Sequence, residues 1–127
     1  NMMKNNKYNN LIKDILYYFS KKIEAARDAK VNDIIIDPGF GFSKDIDQNY
    51  SLLKNLDLLK SLNLPILVGL SRKSMIYKLL KTTPEYALNG STTLNTIALL
   101  NGASIIRVHD VKEAMECIKI TNQFNKQ

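Results

Sequence analysis

Cysteine is almost missing from this chain: among 127 residues there is one, Cys117. A single thiol closes no internal disulfide and builds no cysteine metal cluster, so a reducing cytoplasm is the expected setting. With Met115, Glu116 and Ile118 beside it, Cys117 reads as a packing or surface residue of a helix. Long apolar runs are also missing. None approaches the length of about 18 residues that crosses a bilayer, and the polar start Asn1-Met2-Met3-Lys4-Asn5-Asn6 has no signal-peptide pattern. There is no linker-like boundary, internal repeat or low-complexity tract, and 45% hydrophobic residues argue against disorder. Arginine is scarce as well. Of eighteen basic residues only three, Arg27, Arg72 and Arg107, are Arg.

The net charge of +6 admits an anionic partner. The lysines are scattered, however, and no basic run is interleaved with aromatics, so neither nucleic acid nor a membrane is expected. Arg has a planar fork that grips phosphates and carboxylates bidentately, which Lys cannot copy. Two of the three Arg, Arg72 and Arg107, fall in short loop motifs, and the only histidine, His109, is two residues from one of them.

Periodicity supplies the elements. Tyr8, Leu11, Ile12, Ile15, Phe19, Ile23 and Ala26 recur at spacings of three and four, which predicts a helix over 8–29. The β-branched run Ile34-Ile35-Ile36 predicts a strand buried on both faces of a parallel sheet. Leu52, Leu53, Leu56, Leu59 and Leu62 predict a helix over 48–62. Pro65 opens a second strand, Ile66–Gly69, followed by a short helix to about Leu80 and a polar stretch with Pro84 and Gly90. Ser91 is placed to cap a helix to Leu100, with Gly102 ending it. A third strand, Ser104–Val108, precedes a last helix whose start has capping-box spacing, Asp110 and Glu113. Strands alternating with helices predict an α/β fold with parallel strands, in a barrel or an open doubly wound sheet. Three strands cannot close an eight-stranded barrel, which takes about 250 residues.

The chemically loaded residues all sit where strands end. Asp37, ahead of Pro38 and Gly39, can accept from the N–H groups of a heterocycle, although Asp-Pro-Gly is also ordinary turn chemistry. Gly39 and Gly41 allow close backbone approach, in a spacing that fits neither a P-loop nor a dinucleotide fingerprint. Ser71-Arg72-Lys73-Ser74 stands at a strand end and a helix start, a favourable place for anions. Lys73 can donate to a carbonyl or an anion, and Ser74 can cap the helix or bind a carboxylate. Along the third strand Arg107 and His109 point to the same side, a two-pronged grip suited to phosphate.

Asp37-Pro38-Gly39-Phe40-Gly41-Phe42, Gly69-Leu70-Ser71-Arg72-Lys73-Ser74 and Arg107-Val108-His109-Asp110-Val111, in this order, resemble the last three strand-end motifs of the dihydropteroate synthase family. The resemblance covers nearly the whole chain. It implies that residues 1–127 are one partial pterin-binding domain, the C-terminal three βα units, with a preceding helix, of a TIM (β/α)8 barrel. It implies a transferase of folate biosynthesis, joining p-aminobenzoate to 6-hydroxymethyl-dihydropterin diphosphate with release of diphosphate. By motif, Asp37, Lys73 and Gly69 would hold the pterin, and Phe42 and Ser74 the p-aminobenzoate, in the pocket where sulfonamides compete. Arg107, Val108 and His109 would hold the diphosphate. Mg2+ is the implied cofactor, with its ligands expected in the five strand ends absent here, and a homodimer is implied for the complete protein. The stretch Glu85–Gly90 lacks an Arg that the family pattern has before its Gly-Ser step. These residues alone are expected to be inactive. Two other readings are open: a pterin-binding corrinoid methyltransferase, and a truncated remnant serving only in assembly.

Overall fold

The structure is a computed structural model that describes residues 2–127, with side chains described from Asn10 onward. Helix α1 (Met2–Asp28) begins six residues before the predicted start. Its stripe is the expected one: Ile12 is buried, and Leu11, Ile15, Phe19, Ile23 and Ala26 are half-buried. Tyr8 lies outside the described side chains. The stripe rests on α2 (Ile46–Lys54) and on a 3-10 helix (Leu56–Leu62).

Those two elements replace the single helix expected over 48–62. The chain breaks at Asn55, whose side-chain amide donates to the Ser51 carbonyl at 2.8 Å. Beyond the break the inward-facing leucines fall at 56, 59 and 62, a spacing of three that matches the 3-10 period better than 3.6, while Leu58 is exposed. Leu56 and Leu59 are fully buried. Truncating either to Ala costs about 2–5 kcal/mol by the usual cavity arithmetic. Asn63, left-handed with φ 57°, ends the turn.

Three strand positions lie side by side in parallel. Ile36 bridges Ile66, and β1 (Leu67–Val68) pairs with β2 (Ile105–Ile106) in the register Leu67 to Ile105 and Val68 to Ile106. The ladder runs through Ile36 N–H to Pro65 O at 2.9 Å, Leu67 N–H to Ile36 O at 2.7 Å and Arg107 N–H to Val68 O at 2.9 Å. Between β1 and β2 come α3 (Ser74–Tyr77), a 3-10 turn (Pro84–Tyr86) and α4 (Leu88–Leu100), and α5 (Val111–Asn125) follows β2. Helix α4 packs on α5. The core lies between helices and strands, around Phe40, Leu52, Leu56, Ile66, Val68, Leu70 and Met75. This is the local architecture of a (β/α)8 barrel, with three of its eight strands.

The open inner face explains one departure. Ile34–Ile36 is not buried on both faces: Ile36 is buried while Ile35 is 55% exposed, because helices cover only one side of these three strands. Three expected caps also fail. Helix α4 starts at Leu88, so Ser91 stands inside it and donates back to the Ala87 carbonyl at 2.7 Å. Gly90 falls inside α4 too, where a Cβ would collide with Ile76, so the glycine lets α4 close on α3. Lys73, not Ser74, occupies the cap position of α3. At α5 no side chain caps the helix, since the Asp110 carboxylate is engaged by Arg72. Gly102, with φ 112°, does follow the end of α4 as expected.

Candidate functional site

Three loops at the carboxyl ends of the strand positions meet over one open cleft of about 440 Å³, bordered by Phe40, Gly41, Phe42, Arg72, Lys73, Ser74, Tyr77, Pro84 and Arg107.

The first loop leaves Ile36 with Asp37, whose Oδ1 accepts the Gly39 N–H at 2.9 Å. Gly39 and Gly41 take left-handed φ values of 71° and 93°, where a side chain would be strained. The loop is tied from within. The Lys44 ammonium donates to the carbonyls of Gly39 at 2.8 Å, Phe42 at 3.1 Å and Pro38 at 3.3 Å. Burial pulls its pKa below the ordinary lysine value, with the Asp37 charge opposing. From α2 the buried Asn49 accepts the Gly41 N–H at 2.8 Å and donates to the Asp45 carbonyl at 3.1 Å. Two phenylalanines, two residues apart, go opposite ways: Phe40 is buried in the core and Phe42 is 70% exposed at the cleft.

The second loop follows β1. Lys73 reaches across to the first, donating to the Phe40 carbonyl at 2.6 Å with its ammonium 5.8 Å from the centre of the Phe42 ring. Burial, and then repulsion by Arg107, lower its pKa, while Asp37 acts the other way. Ser74 is half-buried beside Lys73.

Arg72 behaves differently from what its loop position suggested. With φ at 56°, its backbone N–H donates to Ser91 Oγ at 2.9 Å. Its guanidinium grips Asp110 bidentately, Nε to Oδ2 at 3.0 Å and Nη2 to Oδ1 at 2.9 Å. Nη1 donates to the carbonyls of Pro84 and Glu85 at 2.8 and 3.1 Å. The fork is filled by protein groups, so Arg72 is a brace rather than a ligand grip. Its hydrogen bond holds the Asp110 carboxyl below the ordinary value, burial opposing.

The third loop carries Arg107, Val108 and His109. Arg107 and His109 are exposed on either side of the half-buried Val108, as strand alternation requires. Their side chains then part. Arg107 Nη1 pairs with Asp37 Oδ2 at 3.3 Å, whereas His109 Nδ1 lies 2.8 Å from Ser71 Oγ. The Val108 N–H has no partner among the described residues. Gly69 lies under Arg107: a Cβ there would collide with the guanidinium. The eight residues singled out from sequence, Asp37, Phe42, Gly69, Lys73, Ser74, Arg107, Val108 and His109, thus belong to three adjoining loops. The supports Lys44, Asn49, Ser71, Ser91 and Asp110 were not assigned to the site. Only Ser71 and Asp110 had a signal, since they fall inside the motifs. Among the described residues no three His, Cys, Asp or Glu side chains converge on a metal position.

The three strand-end loops belong to a chain of a known class: the pattern of the family described as pterin binding enzyme matches residues 1–109, and the chain belongs to that family. More particularly, it is similar to dihydropteroate synthases. It is 44% identical over 116 residues to the dihydropteroate synthase of Escherichia coli strain K12, covering 90% of this chain and 41% of that enzyme. The Yersinia pestis dihydropteroate synthase crystal structure superposes with a TM-score of 0.90 at 42% identity, over 92% of this chain and 49% of that one. The Yersinia pestis enzyme with a pterine–sulfa conjugate superposes with a TM-score of 0.89 at 43% identity, over 91% and 47%. The chain therefore spans less than half the length of these relatives.

Proposed function

We propose that this chain supplies the ligand-gripping strand ends of a dihydropteroate synthase. That enzyme condenses 6-hydroxymethyl-7,8-dihydropterin diphosphate with p-aminobenzoate to 7,8-dihydropteroate and diphosphate, in folate biosynthesis. The observation that carries the reading is the convergence of Asp37, Lys73 and Arg107: Arg107 pairs with Asp37, and Lys73 bonds the Phe40 carbonyl next to Phe42. A carboxylate suits the amino and ring N–H edge of a pterin, a lysine its ring acceptors, and an arginine fork its anionic tail. Gly69 leaves that fork its room. The relative solved with a pterine–sulfa conjugate supports neighbouring pterin and p-aminobenzoate pockets, the latter assigned to Phe42 and Ser74, where sulfonamides would compete.

In this reaction the aniline nitrogen bonds to the exocyclic methylene carbon, the carbon–oxygen bond to diphosphate breaks, and the nitrogen loses a proton. The electron-rich pterin stabilises the developing cation. The protein's share is orientation and stabilisation of the departing anion, assigned to Arg107, His109 and the free Val108 N–H. Magnesium, on this reading, would be held by the strand ends outside this chain and would assist departure of the diphosphate. Among the described residues no group of His, Cys, Asp or Glu side chains forms its cage.

The complete protein is proposed to be a homodimer. Supporting this, α5 exposes Val111, Met115, Ile120 and Phe124. No described helix is long and apolar enough to cross a membrane, and a free, buried Cys117 suits a cytoplasmic home. The 127 residues alone are proposed to bind without turnover. Calorimetric titration tests the reading: the pterin diphosphate should bind more tightly than the same pterin without its diphosphate. Equal affinities would favour a pterin methyltransferase, whose substrate has no leaving diphosphate, and binding of neither would sink the assignment.

A further inference from the structure

His109 is the only histidine of the chain, and a neighbouring serine holds it at two points. Ser71 Oγ lies 2.8 Å from its ring Nδ1 and accepts its backbone N–H at 3.2 Å. Ser71 is 7% exposed, while His109 is exposed. A hydroxyl has one proton to donate and two lone pairs to accept with. The His109 N–H occupies one lone pair, which leaves the proton and the second lone pair for Nδ1. This suits both charge states of the ring. Ser71 Oγ has no other acceptor for its proton among the described residues, so against a neutral imidazole a satisfied hydroxyl donates to Nδ1 and leaves the ring proton on Nε2. Against an imidazolium, Nδ1–H donates to the hydroxyl oxygen, and Nε2 is again protonated. Nε2 has no hydrogen-bond partner among the described residues. Two ion pairs flank the histidine in sequence and space, Asp110 with Arg72 and Arg107 with Asp37.

We propose that Ser71 is a positioning residue: it fixes the His109 ring so that Nε2–H faces the diphosphate whether or not the ring is charged. Without it a neutral ring can rotate or carry its proton on Nδ1, turning a bare lone pair toward an anion. The inference rests on the diphosphate reading above, and the test separates the two.

Because there is one histidine, nitrogen-15 NMR of the full chain reports this ring alone. With the ring neutral, wild type should show a protonated Nε2 and a hydrogen-bonded, unprotonated Nδ1. Ser71→Ala should move both shifts toward those of a tautomer mixture, and Ser71→Thr, which keeps the hydroxyl, should restore them. At the same pH, Ser71→Ala should weaken binding of inorganic diphosphate roughly three- to tenfold, the loss of one net hydrogen bond, and Ser71→Thr should recover it. In a His109→Ala background Ser71→Ala should have no further effect. Unchanged nitrogen shifts in Ser71→Ala, or a wild-type ring protonated on Nδ1 when neutral, would overturn the proposal. Shifts that respond as expected in a chain that binds no diphosphate would sink the diphosphate reading instead, while leaving Ser71's hold on the ring standing.

Discussion

Arg107 Nη1 and Asp37 Oδ2 stand 3.3 Å apart, an ion pair that joins the third strand-end loop to the first. The two side chains are 57% and 39% exposed, so the pair adds little to folding stability. Its effect is on the site. The pair occupies one guanidinium nitrogen and one carboxylate oxygen, and on the proposed reading a ligand with a hydrogen-bonding ring and an anionic tail would replace both partners.

Arg107→Lys keeps the charge, and the ion pair with Asp37 can re-form, but the fork is lost. Inorganic diphosphate should bind roughly tenfold more weakly, while 6-hydroxymethyl-dihydropterin without diphosphate should bind nearly as before. Calorimetry with both ligands decides. If the two weaken alike, Arg107 shapes the cleft in general rather than gripping the tail.

Gly69→Ala should leave the fold intact and still damage the site. The added Cβ would meet the tip of the Arg107 side chain, not backbone, and a flexible tip can swing aside at small cost. Thermal melts should therefore move little while diphosphate affinity falls as it does in Arg107→Lys. A collapse of the melting transition would show that Gly69 serves packing instead.

Lys73→Ala should weaken pterin binding roughly ten- to a hundredfold, the loss of a charged hydrogen bond. Lys78→Ala, five residues on and exposed, should do almost nothing. Equal effects on pterin affinity would remove Lys73 from the site.

The Arg72–Asp110 pair should appear in the pH dependence of stability. Arg72 lowers the Asp110 pKa in the folded state, so the folded protein binds fewer protons there than the unfolded chain. The pair's contribution is then complete above the ordinary value of 3.8 and disappears as pH falls through the lowered folded value. Asp110→Asn should melt below wild type at pH 6, and the gap should narrow in acid. A gap that persists at pH 2 would mean that the charge on Asp110 is not what matters.

Much of this was legible in the sequence, because strand ends concentrate the residue types that carry chemistry. Asp37, Lys73, Arg107 and His109 stood out by type and position, and the βα alternation by period. What escaped was relational. The capping-box spacing of Asp110 and Glu113 is real, yet an arginine 38 positions away offers the carboxylate a bidentate partner, which outcompetes two backbone N–H groups. Ser91 looked like a cap because serine favours helix starts, but its hydroxyl bonds inside the helix and serves the Arg72 backbone. The leucines at 56, 59 and 62 did announce a period of three. It was absorbed into a longer helix because Leu52 and Leu53 satisfied 3.6. Ile35 looked buried because a β-branched run suits a two-sided sheet, and a sequence does not say which face its neighbours cover.

The brace formed by Arg72 constrains its far end in an unusual way. Its Nη1 holds the carbonyls of positions 84 and 85, groups that every residue type possesses. Changing Pro84 or Glu85 to another residue therefore leaves both contacts chemically available, while adding or deleting one residue between Lys81 and Ala87 would pull the carbonyls out of reach. Among variants of this protein the exposed turn should tolerate wide differences in side-chain identity but hardly any in length, with a change of length felt at Lys73 and the cleft.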